Sequence, residues 1–149
     1  DVCYWSRTRK ADIEQTGVRY AEIDELLGGC DLISIHAPLT ATTQHLLNAD
    51  RIANIKPGAV LVLLSPTELV DLDALEVRLD HRDLTVILDH TDELAPERRT
   101  SLARYENCVL YPAIACTTQE ARHAKRAMLL QNIEGFLAGC PINQVVVHA

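Results

Sequence analysis

Short apolar runs alternate with longer amphipathic stretches along the chain. The three strongest runs cover residues 31–35, 59–64 and 84–88, and two weaker ones cover residues 2–5 and 108–111. Runs of this length, rich in branched side chains, are typical of strands buried on both faces, as in a parallel sheet. The pattern therefore predicts five strands separated by other structure.

Three stretches between or after these runs have the spacing of amphipathic helices. Residues 21–27 precede a Gly-Gly stop, residues 69–79 repeat leucine at intervals of three and four, and residues 117–138 begin at a Thr-Thr-Gln-Glu cap and end before glycine. Residues 89–104 are polar and contain Pro96, which predicts a long connecting loop. The alternation of strand and helix predicts an open, mostly parallel α/β sheet with helices on both faces.

Composition and charge narrow the class of protein. The 149 residues are 48% hydrophobic and 23% charged, which is typical of one globular domain. With 21 acidic against 14 basic side chains, no diffuse positive field favours nucleic acid or an anionic lipid surface. The longest apolar run is six residues, whereas a membrane-spanning helix requires roughly 20. We therefore expect neither a nucleic-acid partner nor a membrane.

The cysteines and histidines exclude some further chemistry. The five cysteines contain no C-x-x-C pair, and no secretion signal is present, so we expect reduced thiols in a cytoplasmic protein. Cys116, at the start of the last predicted helix, is either a reactive thiol favoured by the helix dipole or a small packed residue. The spacing of histidines and cysteines predicts no metal site. The chain begins at Asp1 within an apolar run, which favours an origin inside a longer sequence.

A series of motifs runs through nearly the whole chain. They are His36-Ala37-Pro38-Leu39-Thr40, His45-Leu46-Leu47-Asn48-Ala49, Ile55-Lys56-Pro57-Gly58-Ala59, Glu68-Leu69-Val70-Asp71, Leu88-Asp89, Tyr111-Pro112-Ala113-Ile114-Ala115 and Gly139-Cys140-Pro141-Ile142-Asn143. In this order and spacing the chain resembles the D-isomer-specific 2-hydroxyacid dehydrogenases, beginning at the second strand of their nicotinamide-dinucleotide-binding domain. The resemblance implies that residues 1–149 form part of a Rossmann-like domain that lacks its first strand-turn-helix unit.

The lack of that unit has two consequences. Its Gly-x-Gly-x-x-Gly turn brings backbone N–H groups and a helix N-terminus to the dinucleotide pyrophosphate, so these residues give pyrophosphate binding no support. The first strand also lies centrally in the doubly wound order, so its absence predicts a gap of unpaired backbone. Either another segment fills this gap or the chain is a piece of a longer one.

The resemblance also locates the catalytic positions of the family. An arginine orients the substrate carboxylate, a histidine is the general acid/base, and a glutamate orients that histidine; they match Pro66, Ala113 and Leu94. None of these three side chains transfers a proton or pairs with a carboxylate, which implies a catalytically degenerate site. Glu93 could replace the glutamate through a bulge, and His90 is an alternative acid/base.

Other matched positions concern the cofactor. Ser6, Arg7 and Thr8, followed by two further basic residues, stand where NAD-preferring domains carry an acidic residue, so the resemblance implies NADP, with NAD as the alternative. Asp89 matches an aspartate that contacts the nicotinamide carboxamide. The loop with His36 and Pro38 matches one that passes the adenine. Each position also has a purely structural interpretation. The residues after the first strand would form a solvated turn, Asp89 would cap a helix, and the loop with Pro38 would be a proline turn after a strand.

Three functions remain open at this point. The first is a degenerate or repurposed relative of the NAD(P)-dependent 2-keto acid reductases. The second is part of an active NAD(P)-dependent oxidoreductase of 2-keto or 2-hydroxy acids that uses His90. The third is a structural module whose helix over residues 117–138 contacts another chain, as a homo-oligomer or with a partner that supplies the missing segment.

Overall fold

The computed structural model describes residues 1–114 and 117–144, in two compact units, Asp1–Pro112 and Ala113–Ala149. One domain over residues 1–149 stays a prediction. Ala115 and Cys116 lie outside the described residues, and with them the proposed reactive thiol. Among the described residues, every helix falls short of the length and apolar character needed to cross a bilayer.

The first unit alternates strands and helices, which confirms the predicted α/β class. The elements are β1 (Cys3–Tyr4), α1 (Ala11–Glu14), β2 (Arg19–Tyr20), α2 (Ile23–Gly29), β3 (Leu32–Ile35), α3 (Ala49–Asn54), β4 (Ala59–Leu63), α4 (Leu72–Leu79), β5 (Leu84–Leu88), α5 (Pro96–Leu102) and β6 (Cys108–Leu110). Short 3₁₀ turns at Thr67–Leu69 and Thr91–Glu93 follow β4 and β5.

The described strands form two separate parallel sheets. In the larger sheet β3, β4, β5 and β6 lie side by side in that order, whereas β1 pairs with β2. In a doubly wound sheet one further strand stands between the strands that correspond to β1 and β3. The predicted gap is therefore present, since no described strand occupies that place.

The core lies on one face of the larger sheet. Ile33, Leu61, Leu63, Val86 and Leu88 are fully buried, and buried side chains of α2, α3, α4 and α5 join the same cluster. Each such side chain contributes about 1.5–3 kcal/mol by leaving water. The alternate residues of these strands are half-buried or exposed. Among the described residues, these strands are therefore buried most deeply on the face that packs against α2, α3, α4 and α5.

The helices differ from those predicted from the sequence in three places. α2 continues through the Gly28-Gly29 pair, which was expected to stop it. α4 begins after Asp71, whose side chain accepts a hydrogen bond from Ala74 N at 3.1 Å, because a 3₁₀ turn takes the preceding residues. The predicted loop over residues 89–104 contains α5. Pro96 stands in the first turn of α5, where its fixed φ suits a helix, and α5 buries only Leu102, so its apolar pattern is weak.

The second unit contains one long helix, α6 (Gln119–Leu137), within two residues of its predicted bounds. Thr118 Oγ1 accepts a hydrogen bond from Ala121 N at 3.1 Å and caps the N-terminus. Gly139 has φ +73° after the helix, and Cys140 N donates to Gly135 O at 2.9 Å. No residue of α6 is buried.

Candidate functional site

A cleft of about 670 Å³ is lined by residues of both β1 and β3. Its lining includes Ser6, Arg7, Thr8, His36 and Pro38, five of the six residues that the sequence assigned to the cofactor. The first three follow β1 and the other two follow β3, so the carboxyl ends of both strands open into it. The sixth residue, Asp89, follows β5 and is not part of this lining.

Local hydrogen bonds fix the turn after β1. Ser6 Oγ donates to Thr8 O at 2.7 Å, and Lys10 N donates to the Tyr4 hydroxyl oxygen at 2.6 Å. The Tyr4 ring packs edge-on against the Tyr20 ring, with centroids 5.5 Å apart. The turn is therefore anchored to β2 through an aromatic contact.

The cations of this turn differ in their partners. Arg9 pairs with Glu14, and its guanidinium lies 5.0 Å from the centre of the Tyr20 ring. The hydrogen bond from Arg9 lowers the pKa of the Glu14 carboxyl. Arg7 and Lys10, which both line the cleft, form no ion pair with any described residue. These two side chains are the cations that an anionic ligand in the cleft could use.

The loop after β3 is also held in place. Ser34 Oγ lies 2.8 Å from His36 Nε2, and Thr43 Oγ1 donates to Pro38 O at 2.6 Å. His36 and Pro38 are both exposed. An exposed imidazole on a fixed backbone is available to a ligand at the rim of the cleft.

Asp89 contains an acceptor without a donor. Its backbone N donates to Leu63 O at 3.0 Å, which holds it beside the end of β4. Its Oδ1 atom is buried and has no hydrogen-bond partner among the described residues. A buried acceptor left unpaired costs about 1–3 kcal/mol.

His90 stands next to Asp89 in an unusual conformation. Its φ is +60°, in the left-handed region that non-glycine residues rarely adopt. The imidazole Nε2 lies 3.7 Å from Asp89 Oδ2, and Nδ1 lies 3.5 Å from Glu93 Oε1. Two carboxylates therefore flank a partly exposed imidazole at the end of β5.

The three positions that the resemblance matched to the family's catalytic side chains hold no titratable group. Pro66 lies between β4 and a 3₁₀ turn, and the half-buried Leu94 packs against the core. Ala113 belongs to the second unit. Glu93, the suggested substitute for Leu94, is 62% exposed in its side chain and lies beside His90. The described residues contain no cluster of three or more metal-ligating side chains.

One contact in the cleft was not predicted from the sequence. Cys3 and Cys30, 27 residues apart, bring their Sγ atoms within 3.3 Å, and both line the cleft. Trp5, also in the lining, was assigned only to a strand. The spacing of the two cysteines matches no sequence motif, and the fold alone brings them together.

The family model described as D-isomer specific 2-hydroxyacid dehydrogenase, NAD binding domain, matches residues 1–115. The chain is 32% identical over 139 residues to the glyoxylate reductase of Thermococcus litoralis. The aligned region covers 93% of this chain and 42% of that protein. The chain therefore spans about two fifths of the length of this curated relative.

Two solved structures extend the comparison. The D-lactate dehydrogenase of Aquifex aeolicus, complexed with NAD and lactic acid, superposes with a TM-score of 0.82 at 25% identity over 93% of this chain and 46% of that one. An acyclic imino acid reductase (Bsp5) in complex with NADPH and D-Arg superposes with a TM-score of 0.76 at 28% identity, over 97% of this chain and 45% of that one.

Proposed function

The chain belongs to the D-isomer-specific 2-hydroxyacid dehydrogenases through their NAD-binding domain, and from this we propose that its β1–β3 cleft binds the adenosine half of NADP or NAD. One observation carries the proposal: Ser6, Arg7, Thr8, His36 and Pro38 all line this cleft, at the carboxyl ends of parallel strands. Ligands of open α/β sheets bind at that edge.

The charges favour NADP over NAD. Arg7 and Lys10 line the cleft without an ion pair among the described residues, and no acidic side chain follows β1 directly. A 2′-phosphate would pair with these cations, whereas an unphosphorylated ribose needs an acidic acceptor. When bound, the cofactor supplies a hydride at its nicotinamide ring. The carboxylate of Asp89, at the end of β5, is the acceptor that would hold the carboxamide N–H.

The residues of the cleft fit the adenosine half of the cofactor better than its pyrophosphate. A pyrophosphate is held by a glycine-rich turn that leads from a strand into a helix. Among the described residues no such turn follows β1 or β3. We therefore expect weak binding by these residues alone and tighter binding when another segment supplies the turn.

We further propose that this site does not reduce 2-keto acids by the family's chemistry. Proline, alanine and leucine occupy the positions of the carboxylate clamp, the acid/base and its orienting glutamate (Pro66, Ala113 and Leu94). Loss of a general acid/base alone typically lowers the rate by about 10²–10⁴. The protein would then use its cleft for binding.

A titration of the chain with NADPH and NADH, followed by calorimetry, tests the binding proposal. We expect NADPH to bind more tightly, and Arg7→Gln with Lys10→Gln to remove about 10-fold or more of that preference. Arg9→Gln is the matched control, because Arg9 is already paired with Glu14. No saturable binding of either dinucleotide at millimolar concentration would refute the proposal.

A second candidate is an active NAD(P)-dependent oxidoreductase of 2-keto or 2-hydroxy acids that uses His90. The observation in its favour is the imidazole between the carboxylates of Asp89 and Glu93. A carboxylate beside a histidine orients the ring, as an acid/base in a reaction requires. This candidate differs from the first in requiring turnover.

A third candidate is a partner-binding module, as a homo-oligomer or with another chain. α6 exposes a series of apolar side chains, with Phe136 and Leu137 more than 70% exposed. A contiguous apolar patch of this kind marks an interaction surface. Sedimentation of the chain over a range of concentrations, with Phe136→Ser as the variant, tests this candidate.

A further inference from the structure

Cys3 and Cys30 form a close thiol pair between two separate elements of the first unit. Cys3 lies in β1 and Cys30 follows α2, and their Sγ atoms are 3.3 Å apart although 27 residues separate them in the chain. Both thiols are free and partly buried. The S–S bond of a disulfide is about 2.0 Å long, so the two sulfurs need to approach by only about 1.3 Å to become bonded.

The other cysteines that the structure describes are placed differently. Cys108 is buried in the core, where burial raises the pKa of its thiol to about 11. Cys140 is exposed and belongs to the second unit. Within the described part of the chain, Cys3 and Cys30 are the one pair whose sulfur atoms are in contact. These two thiols are therefore the pair that an oxidant would link without unfolding the chain.

The β1–β3 cleft gives a small oxidant access to this pair. Cys3 and Cys30 both line the cleft, whose volume is about 670 Å³. Pockets that hold small molecules measure about 300–1,000 Å³. A low-molecular-weight disulfide of the glutathione class therefore reaches the sulfurs from the cleft.

The pair also joins two walls of the cleft that are otherwise held together by side-chain packing. β1 pairs only with β2, and no backbone hydrogen bond among the described residues connects this small sheet to the larger one. β1 leads within two residues into the turn with Ser6 and Arg7, whereas Cys30 leads into β3. A covalent link at this point would draw the wall that carries the turn toward α2.

We propose that Cys3 and Cys30 are an oxidative modification site, at which a low-molecular-weight disulfide forms an intramolecular disulfide that weakens dinucleotide binding in the cleft. The effect on binding rests on the proposed function, because it concerns the same cleft. The link would narrow the cleft between β1 and α2 and displace the turn that presents Arg7 to a 2′-phosphate. Charge-assisted hydrogen bonds are only about 2.8 Å long, so a displacement of about 1 Å breaks one.

The exchange proceeds in two steps and consumes one molecule of the small disulfide. The thiolate of one cysteine attacks a sulfur of the reagent, which breaks the reagent's S–S bond, forms a mixed disulfide and releases one thiolate. The thiolate of the second cysteine then attacks the protein sulfur of the mixed disulfide and releases the other thiolate. The two protein thiols are oxidised by two electrons, and the reagent is reduced to two thiols that take up the two protons.

Titrations of the chain in two glutathione buffers test the proposal. One sample is equilibrated with reduced glutathione and the other with glutathione disulfide. Intact mass with peptide mapping then identifies the link, and calorimetry with NADPH follows after the glutathione is removed. We expect the oxidised chain to carry the Cys3–Cys30 link, with no glutathione on either cysteine, and to bind NADPH at least about 10-fold more weakly. Dithiothreitol should restore the affinity of the reduced chain.

Two variants make the test specific. Cys3→Ser cannot form the link, so its affinity for NADPH should be the same after both treatments even where other cysteines react. Cys140→Ser, at an exposed position outside the cleft lining, is the matched control and should respond as the parent chain does. The comparison of the reduced and oxidised parent chain needs no variant, so it stands if Cys3→Ser fails to fold.

The contrary results separate this proposal from the proposed function. Glutathione adducts on Cys3 or Cys30 in place of the link would overturn the modification site. An equal loss of affinity in Cys3→Ser would overturn the role of the pair. A linked chain that binds NADPH as tightly as the reduced chain, or more tightly, would overturn the effect on binding and leave the proposed function intact. A reduced chain that binds no dinucleotide would refute the proposed function and the control of binding together.

Discussion

The Sγ atoms of Cys3 and Cys30 lie 3.3 Å apart and connect β1 to the residue that ends α2. Both thiols are free and partly buried. The pKa of the Cys30 thiol is raised, chiefly because the thiol is partly buried and secondly because it contacts Cys3. The pair thus stands on the wall of the candidate cleft.

This contact predicts an intramolecular disulfide on treatment with diamide. The two thiols would lose two protons and two electrons to the oxidant, and intact mass with peptide mapping would detect the Cys3–Cys30 link. Its rate should rise with pH, because the raised pKa of Cys30 keeps the thiolate scarce near neutrality. Cys3→Ser should abolish the link. Oxidation that yields only dimers through the exposed Cys140 would contradict the prediction.

A second prediction concerns the Arg78–Asp83 pair. Arg78 Nη2 donates to Ile55 O at 3.0 Å and lies 3.1 Å from Asp83 Oδ2. Arg78 Nε and Asp83 Oδ1 are buried and have no hydrogen-bond partner within the described part of the chain. Because Arg78 is 11% exposed, Asp83→Asn leaves its charge poorly compensated. We expect Asp83→Asn to lower the free energy of unfolding by about 1–3 kcal/mol in urea.

Two further variants define the origin of that loss. Arg78→Met combined with Asp83→Leu should cost less than the sum of the single changes, since no charge is then left alone. Arg19→Gln, which breaks the exposed pair with Glu25, should change stability by about 0–1 kcal/mol. Additive single effects would show that the pair is not coupled.

The sequence was sufficient for the elements that build the core. The runs at residues 31–35, 59–64, 84–88 and 108–111 all became strands of the larger sheet, because their branched apolar side chains are those that the core buries. α1, β2 and α3 were not predicted. Each has at most six residues, and their pattern is too short to show a period.

The site was less accessible to sequence reasoning. The resemblance assigned Ser6–Thr8 and His36 with Pro38 to the cofactor, and the structure places them around one cleft. The contact between Cys3 and Cys30 depends on how separate elements are placed in space. The same is true of the gap between β1 and β3. A one-dimensional pattern carries no such information, so only the doubly wound order indicated the gap.

A third prediction follows from Cys108 at the start of β6. Burial raises the pKa of its thiol to about 11, above the ordinary value of 9.0. The folded state thus holds this proton more tightly than the unfolded state, so stability is fully present below pH 9 and is lost as the pH rises toward 11. Urea midpoints measured across this range should fall for the parent chain. Cys108→Ala should show a smaller decline, whereas Cys140→Ala should behave as the parent.

The last prediction separates the binding proposal from catalysis by His90. With NADPH and glyoxylate present, we expect no oxidation of NADPH above background, because Pro66, Leu94 and Ala113 supply no acid/base. His90→Gln should then match the parent, and so should the control His81→Gln, at an exposed position outside the cleft lining. Turnover that fell by about 10² or more in His90→Gln alone would establish His90 as the acid/base.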